Sequence, residues 1–322
     1  MVLDIEESDF CTIGAGLLVT NKELLDAAKA GVYAVGAFNV NNMEFVQAIT
    51  TAAEELRSPV IIAVSEGAIK YAGFDYIVDL VRLAARERSI PLSLHLDHGR
   101  DMAVIDRCIG GGFTSVMIDG SHLPFEENIA VTREVVERAK PKGVSVEGEL
   151  GRLAGIEDNI SVEERDALLT DPVEAVEFVE RTGVDSLAIA VGTSHGAYKF
   201  KGEPRLAFDR IEEIAGGISI PLVLHGASGV NQTHVALANE FGAKLAGTKG
   251  VPDDAVVRAV RLGICKVNID TDMRIAFLAA VRQSLSEKPE GIDPRSYLGS
   301  GREAVAKVVR AKIKLFGSAG KG

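Results

Sequence analysis

Eight short apolar runs alternate along this chain with longer amphipathic stretches. The runs are YAVGAFN (33 to 39), PVIIAVS (59 to 65), PLSLHLD (91 to 97), TSVMID (114 to 119), VSVEGE (144 to 149), DSLAIAV (185 to 191), PLVLHG (221 to 226) and CKVNID (265 to 270). Between them lie segments of helical period such as NMEFVQAITTAAEEL, YIVDLVRLAARERS, ENIAVTREVVERAK and PVEAVEFVERTG, the last stopped by Gly183. Strands followed by helices predict a parallel sheet. An open doubly wound sheet usually stops near about five or six strands, so eight predict an α/β chain folded as a (β/α)8 or TIM barrel. No linker, short repeat or low-complexity block divides residues 1–322, which are read as one domain with an N-terminal extension over 1–17. The stretch 272–316, broken by DPRSYLG, predicts two further helices that close the barrel or meet a partner subunit.

Charge narrows the partners. A net charge of −11 repels nucleic acid, and no basic stripe interleaved with aromatics offsets it. An anionic substrate therefore needs a local cluster of positive charge or amide donors. No 18 apolar residues follow one another, and the first twenty residues are acidic rather than basic, which predicts a cytoplasmic, unexported protein with no membrane partner. Cys11, Cys108 and Cys265 form no CxxC pair, so neither a disulfide framework nor a cysteine zinc site is expected.

In a barrel, chemistry belongs to the carboxyl ends of the strands. Those ends carry His95, Asp97 and His98 on the third run, Asp119 on the fourth, and Glu147 and Glu149 on the fifth. His195 follows the sixth, His225 ends the seventh, and Asn268, Asp270 and Thr271 lie at the eighth. Neighbouring strand side chains face opposite ways, so Asp97 and His98 reach one site only where the strand is already turning. His98, His195 and His225 come from three different ends, as a three-histidine metal site with an open position requires. A single strand-end histidine is more often structural, and His95, His122 and His234 are read so. Asp119 and Glu149 suit either rim carboxylates holding loops or a second, weaker cation site. HGASG (225 to 229) and NIDTD (268 to 272) put small residues and a hydroxyl where barrels bind phosphate, and SHGAYK adds Gly196 and Lys199.

LHLDHG, VEGELGRLAGIED, GTSHGAYK, LHGASG and KVNIDTDMR, in this order over about residues 18 to 317, closely resemble the class II, zinc-dependent fructose-1,6-bisphosphate aldolases of the branch called IIB. The resemblance implies reversible cleavage of a sugar bisphosphate, fructose 1,6-bisphosphate, to dihydroxyacetone phosphate and glyceraldehyde 3-phosphate through a zinc-stabilised enediolate, in glycolysis and gluconeogenesis. It implies Zn2+ on His98, His195 and His225, with Co2+ or Mn2+ as substitutes, and Asp119 and Glu149 as alternative metal positions. Asp97 would serve the C4 hydroxyl as acid and base, and Glu157 the C3 proton. Gly196, Lys199, Gly226, Ser228, Asp270 and Thr271 would seat one phosphate, beside a monovalent cation such as Na+ or K+. Asn268 would hold the ketose hydroxyls, Arg274 and Arg295 the distal phosphate, and Asn39 and Ser65 would stand near the substrate. Arg274 reaching a neighbouring subunit implies a homodimer or homotetramer. Residues 1–17 are not a usual feature of the family.

A Schiff-base aldolase would instead need a desolvated lysine inside the barrel, and Lys266 alone lies near a strand end, with no partner evident in the sequence. Three other readings remain: a tagatose-1,6-bisphosphate aldolase, a metal-dependent hydrolase on the same fold, and a non-catalytic sugar-phosphate sensor. Asp97 and Glu157 speak against the sensor, and the lack of an HxH pair or bridging lysine against a binuclear hydrolase.

Overall fold

The computed structural model describes residues 18–151, 154–157, 160–162, 169–195 and 206–322, with backbone alone for 154–157, 160–162, 194 and 195. The extension 1–17, the side chains of Glu157 and His195, and residues Gly196 and Lys199 lie outside the described residues. Eight parallel strands close a barrel: β1 (Val35–Asn39), β2 (Val60–Ser65), β3 (Leu92–Gly99), β4 (Ser115–Ile118), β5 (Ser145–Leu150), β8 (Ser186–Ile189), β10 (Leu222–Leu224) and β11 (Ile264–Ile269), which pairs back onto β1. Each coincides with an expected run to within a few residues.

Period-two alternation sorts each strand into two faces. Phe38, Ile62, Leu94, Leu96, Val116, Val146, Leu187 and Val267 pack outward into the layer shared with the helices. Val35, Ala37, Ile61, Ala63, Met117, Ala188 and Val223 line the other face. At the amino end the interior is sealed by α1 (Asn21–Gly31), whose Leu24, Leu25 and Ala28 join that inner cluster. Thr20 and Glu23 form a reciprocal capping box that starts α1. The interior positions left at the carboxyl end are polar and buried: His95, Asp97, Glu147, Glu149, His225, Lys266 and Asn268. Apolar packing therefore fills one half of the barrel and places chemistry in the other.

The helices around the barrel end with the expected local signals. In α7 (Pro172–Thr182) Asp171 caps the first turn, proline occupies its start, and Gly183 at φ +70° stops it. The predicted C-terminal pair is α11 (Thr271–Glu287) and α12 (Pro294–Phe316). Phe277 of α11 meets Phe45 of α2 (Met43–Glu55), and Arg310 of α12 pairs with Glu55 of the same helix. Three short strands lie outside the eight expected runs: β6 (Ala154–Glu157) pairs with β7 (Ile160–Val162) and, in parallel, with β9 (Ser194–His195). GRLAGIED is glycine-rich and lacks clear alternation, so its pairing depends on the distant segment that reaches it, not on its own pattern. Among the described residues no helix is long and apolar enough to cross a membrane.

Candidate active site

His98 lies on a strand and yet has φ +49°, a left-handed conformation that costs a non-glycine residue about 1–2 kcal/mol. The register explains it: Leu96 pairs with Val116, but Gly99 pairs with Ile118, so β3 carries one extra residue against β4. This bulge breaks the alternation and turns His98 to the same side as Asp97. Ligand atoms of Asp97, His98 and His225 then all lie within 4.8 Å of one another.

Asp97 is fully buried, and its two oxygens are held from opposite directions. Asn39 Nδ2 donates to Oδ2 at 2.8 Å, and Asn268 Nδ2 donates to Oδ1 at 2.9 Å. Both asparagines were placed near substrate by resemblance; here their amides orient the carboxylate. The Asn268 Oδ1 atom is buried without a partner among the described residues. Ser65 is the lateral neighbour of Asp97, and its hydroxyl accepts Ala68 N–H to cap α3 (Glu66–Ala72).

Behind His225 lies a buried network. His225 Nε2 stands 2.8 Å from Glu147 Oε1, while Lys266 Nζ donates to Glu147 Oε2 at 2.7 Å and faces His95 Nε2 at 3.2 Å. His95 Nδ1 meets Ser115 Oγ at 2.9 Å. Burial pushes His95 down to about 3, and the Lys266 charge adds to this. Burial likewise lowers His225, reinforced by His98 and opposed by the Glu147 bond. Burial alone would raise Glu147, but the Lys266 ammonium and the His225 bond hold it well below the ordinary carboxylate range. Lys266 thus has partners that the sequence did not reveal: an ammonium in an ion pair offers no lone pair for a Schiff base.

On the other side of His98, Nδ1 is 3.4 Å from Asp119 Oδ2 and 3.6 Å from Glu149 Oε2, a second group of metal-ligand type. Asp119 Oδ2 also accepts from Arg100 Nε at 2.9 Å and from Arg100 Nη2, and its Oδ1 accepts from Ser121 Oγ at 2.7 Å. Burial would raise Asp119, but the bonds to His98 and the Arg100 charge hold it far below its usual range. Arg100 was not singled out in the sequence, although its place one residue after Gly99 is the available signal.

The donor chemistry fits a cation between the histidines. In the tautomers that place His225 Nε2–H on Glu147 and His98 Nδ1–H toward Asp119, the remaining nitrogens, His225 Nδ1 and His98 Nε2, both carry lone pairs. They face each other at 2.9 Å, close enough for an Nε2–H of His98 to donate to His225 Nδ1, and with that proton displaced both nitrogens can turn to one cation. A tetrahedral zinc with bonds of about 2.0–2.1 Å separates its nitrogens by roughly 3.4 Å, so the rings need to part only slightly. The backbone of His195 comes from β9, which pairs with β6 so that Gly155 is opposite His195.

The phosphate-side residues gather at the ends of β10 and β11. Gly226 takes φ +62°, and Ser228 Oγ accepts Asp270 N–H at 3.3 Å where α11 begins at Thr271. Arg274 Nε donates to Asp270 Oδ1 at 2.7 Å, whereas Arg295 is exposed and tied to Asp293, at the start of α12, remote in sequence from that cluster. Sequence reading passed over Asp272, buried just behind Asp270, and Lys312, buried on α12.

A closed barrel with facing imidazoles and buried carboxylates at its carboxyl mouth defines a barrel enzyme with a histidine and carboxylate centre suited to a divalent metal. The chain belongs to the family described as fructose-bisphosphate aldolase class-II, whose model matches residues 19–321. It is 52% identical to the fructose-bisphosphate aldolase of Thermus caldophilus over 305 residues, covering 95% of this chain and 100% of that protein. It is 48% identical to the fructose-bisphosphate aldolase of Giardia intestinalis, covering 94% of each. The crystal structure of the YdjI aldolase from Escherichia coli K12 superposes with a TM-score of 0.77 at 34% identity, covering 94% of this chain and 99% of that one.

Proposed function

We propose that this chain cleaves fructose 1,6-bisphosphate reversibly to dihydroxyacetone phosphate and glyceraldehyde 3-phosphate, with Zn2+ held by His98, His195 and His225. The observation that carries the reading is the pair of facing nitrogens on His98 and His225 with buried Asp97 beside them. A bound divalent ion supplies Lewis-acid polarisation of the ketose carbonyl, worth about several kcal/mol as charge develops on bond cleavage.

The remaining work falls to the chain. Asp97 takes the C4 hydroxyl proton as the C3–C4 bond breaks and returns it in synthesis, a role worth roughly 10²–10⁴ in rate. Asn39 and Asn268 support this reading, since each already engages one carboxylate oxygen and fixes the plane of the group. Glu157 is assigned the C3 proton; the pairing of β6 with β9 supports a place for its segment beside His195. Gly196, Lys199, Gly226, Ser228, Asp270 and Thr271 are assigned to the phosphate of dihydroxyacetone phosphate with Na+ or K+ alongside, the start of α11 adding a helix N-terminus. Arg274 and Arg295 exchange Asp270 and Asp293 for the distal phosphate, Arg274 in the site of a neighbouring copy within a homodimer or homotetramer. Asp119 and Glu149 offer a second metal position behind His98, and the cytoplasm supplies the phosphorylated substrate.

The test is a coupled assay on fructose 1,6-bisphosphate and tagatose 1,6-bisphosphate before and after chelation, with zinc added back. Activity on the fructose isomer that vanishes with chelator and returns with zinc is expected. Turnover indifferent to chelator overturns the metal assignment, and preference for the tagatose isomer overturns the substrate.

A further inference from the structure

Val230, just beyond the HGASG turn, has φ +51°, a conformation that is an outlier for a β-branched residue. Such strain persists only where the surroundings over-determine it. Here the peptide groups on either side of Val230 donate to one side chain: Gly229 N–H reaches Asp272 Oδ2 at 2.8 Å, and Asn231 N–H reaches Asp272 Oδ1 at 3.4 Å. Asp272 is 3% exposed. Behind it stands Lys312 from the last turns of α12, 8% exposed, with Nζ 3.3 Å from Asp272 Oδ2 and 2.9 Å from Asp253 Oδ1. The turn is closed from a further side by Val251 N–H on Ser228 O at 3.1 Å.

We propose that Asp272 and Lys312 are positioning residues: the pair clamps the turn after β10 in its phosphate-accepting shape, so that the C-terminal helix α12 sets phosphate affinity. This rests on the assignment of Gly226, Ser228 and Asp270 to a phosphate. Asp272 follows Asp270 and Thr271 directly, so its hold on Gly229 and Asn231 locks the β10 turn to the start of α11, the two segments that would share the anion. Electrostatics needs the lysine as well. An uncompensated buried carboxylate close to a phosphate dianion repels it, and the Lys312 ammonium, which it shares with the mostly exposed Asp253, offsets that charge. Among the described residues the hydrogen bonds and ion pairs of Asp272 and Lys312 run to Gly229, Asn231 and Asp253 and to each other, so metal affinity and phosphate affinity are expected to separate experimentally.

The experiment compares zinc-loaded wild type with Lys312→Met, Lys312→Arg and the charge-balanced double variant Asp272→Asn/Lys312→Met, the last leaving no unpaired buried charge if the single variant does not fold. Measured are KM and kcat for fructose 1,6-bisphosphate, the inhibition constant of inorganic phosphate, and zinc affinity by competition with a chromophoric chelator. Expected is a rise of about tenfold to a hundredfold in KM and in the phosphate constant for Met and double variants, with kcat affected far less, zinc affinity unchanged, and substantial recovery in Lys312→Arg. An unchanged phosphate constant in either folded Met-bearing variant overturns the clamp, as does a loss confined to kcat. Absence of phosphate inhibition in the wild type overturns the phosphate seat itself, and the clamp with it.

Discussion

Asp97 illustrates how much of a reacting group's behaviour lies in residues that never react. The carboxylate lies at the end of an apolar run, where its position was readable, but the two amides that orient it come from Asn39 and Asn268, 58 and 171 residues away. Only a closed barrel brings them together, so spacing along the chain carries no trace of the contact. Asp97→Ala is expected to keep its zinc and lose turnover by roughly 10²–10⁴-fold, checked by metal analysis beside kcat. Loss of the metal in that variant would make Asp97 a ligand instead of the base. His225→Ala is expected to lose zinc and activity together, since it removes one of the facing nitrogens and leaves Glu147 without its imidazole partner; a zinc-free, fully active variant contradicts that.

At the scale of the element, the number and order of the strands were legible because burial on both faces leaves continuous apolar runs, while helices leave amphipathic ones. The bulge in β3 was not. The LHLDHG run requires some turn for Asp97 and His98 to converge, yet no glycine marks position 98, and the extra residue shows only in the register against β4. Gly99 is the element's weak point: a Cβ there would lie 2.6 Å from Met117 O and 2.8 Å from Leu96 Cδ2, and the backbone oxygen cannot step aside cheaply. Gly99→Ala is expected to cost about 1–3 kcal/mol in urea unfolding. Because the shift falls next to His98, zinc affinity should fall with it, read by chelator competition. A destabilised variant with unchanged zinc affinity would show that the histidine is held by something other than the bulge.

Closure of β11 onto β1 fixes a property of the whole molecule: it brings Lys266 across the barrel to Glu147 and His95, an ion pair with a neutral imidazole buried at the centre. The sequence showed these three as separate strand-end residues, and only the layer they form assigns each its partner. The consequence is measurable as stability against pH. His95 and His225 are held below their ordinary values, so both are neutral in the fold at pH where an unfolded chain already protonates them, near about 6.5 and below. Stability is therefore fully present above about 6.5 and lost as pH falls, by about 1.4 kcal/mol per pH unit for each histidine that stays neutral. Glu147, held low, acts in the same direction but only below about 4.5, where its unfolded counterpart takes up a proton. Between about 4.5 and 6.5 the slope therefore isolates the buried histidines from Glu147. In chelator-treated protein, urea unfolding is expected to lose about 2 kcal/mol from His95 alone between pH 6.5 and 5. His95→Gln, polar but not titrating, should flatten that slope while His225 and His234, both lowered by burial, sustain the remainder. An unaltered slope in the variant would place the titrating group elsewhere and remove the neutral imidazole from the central network.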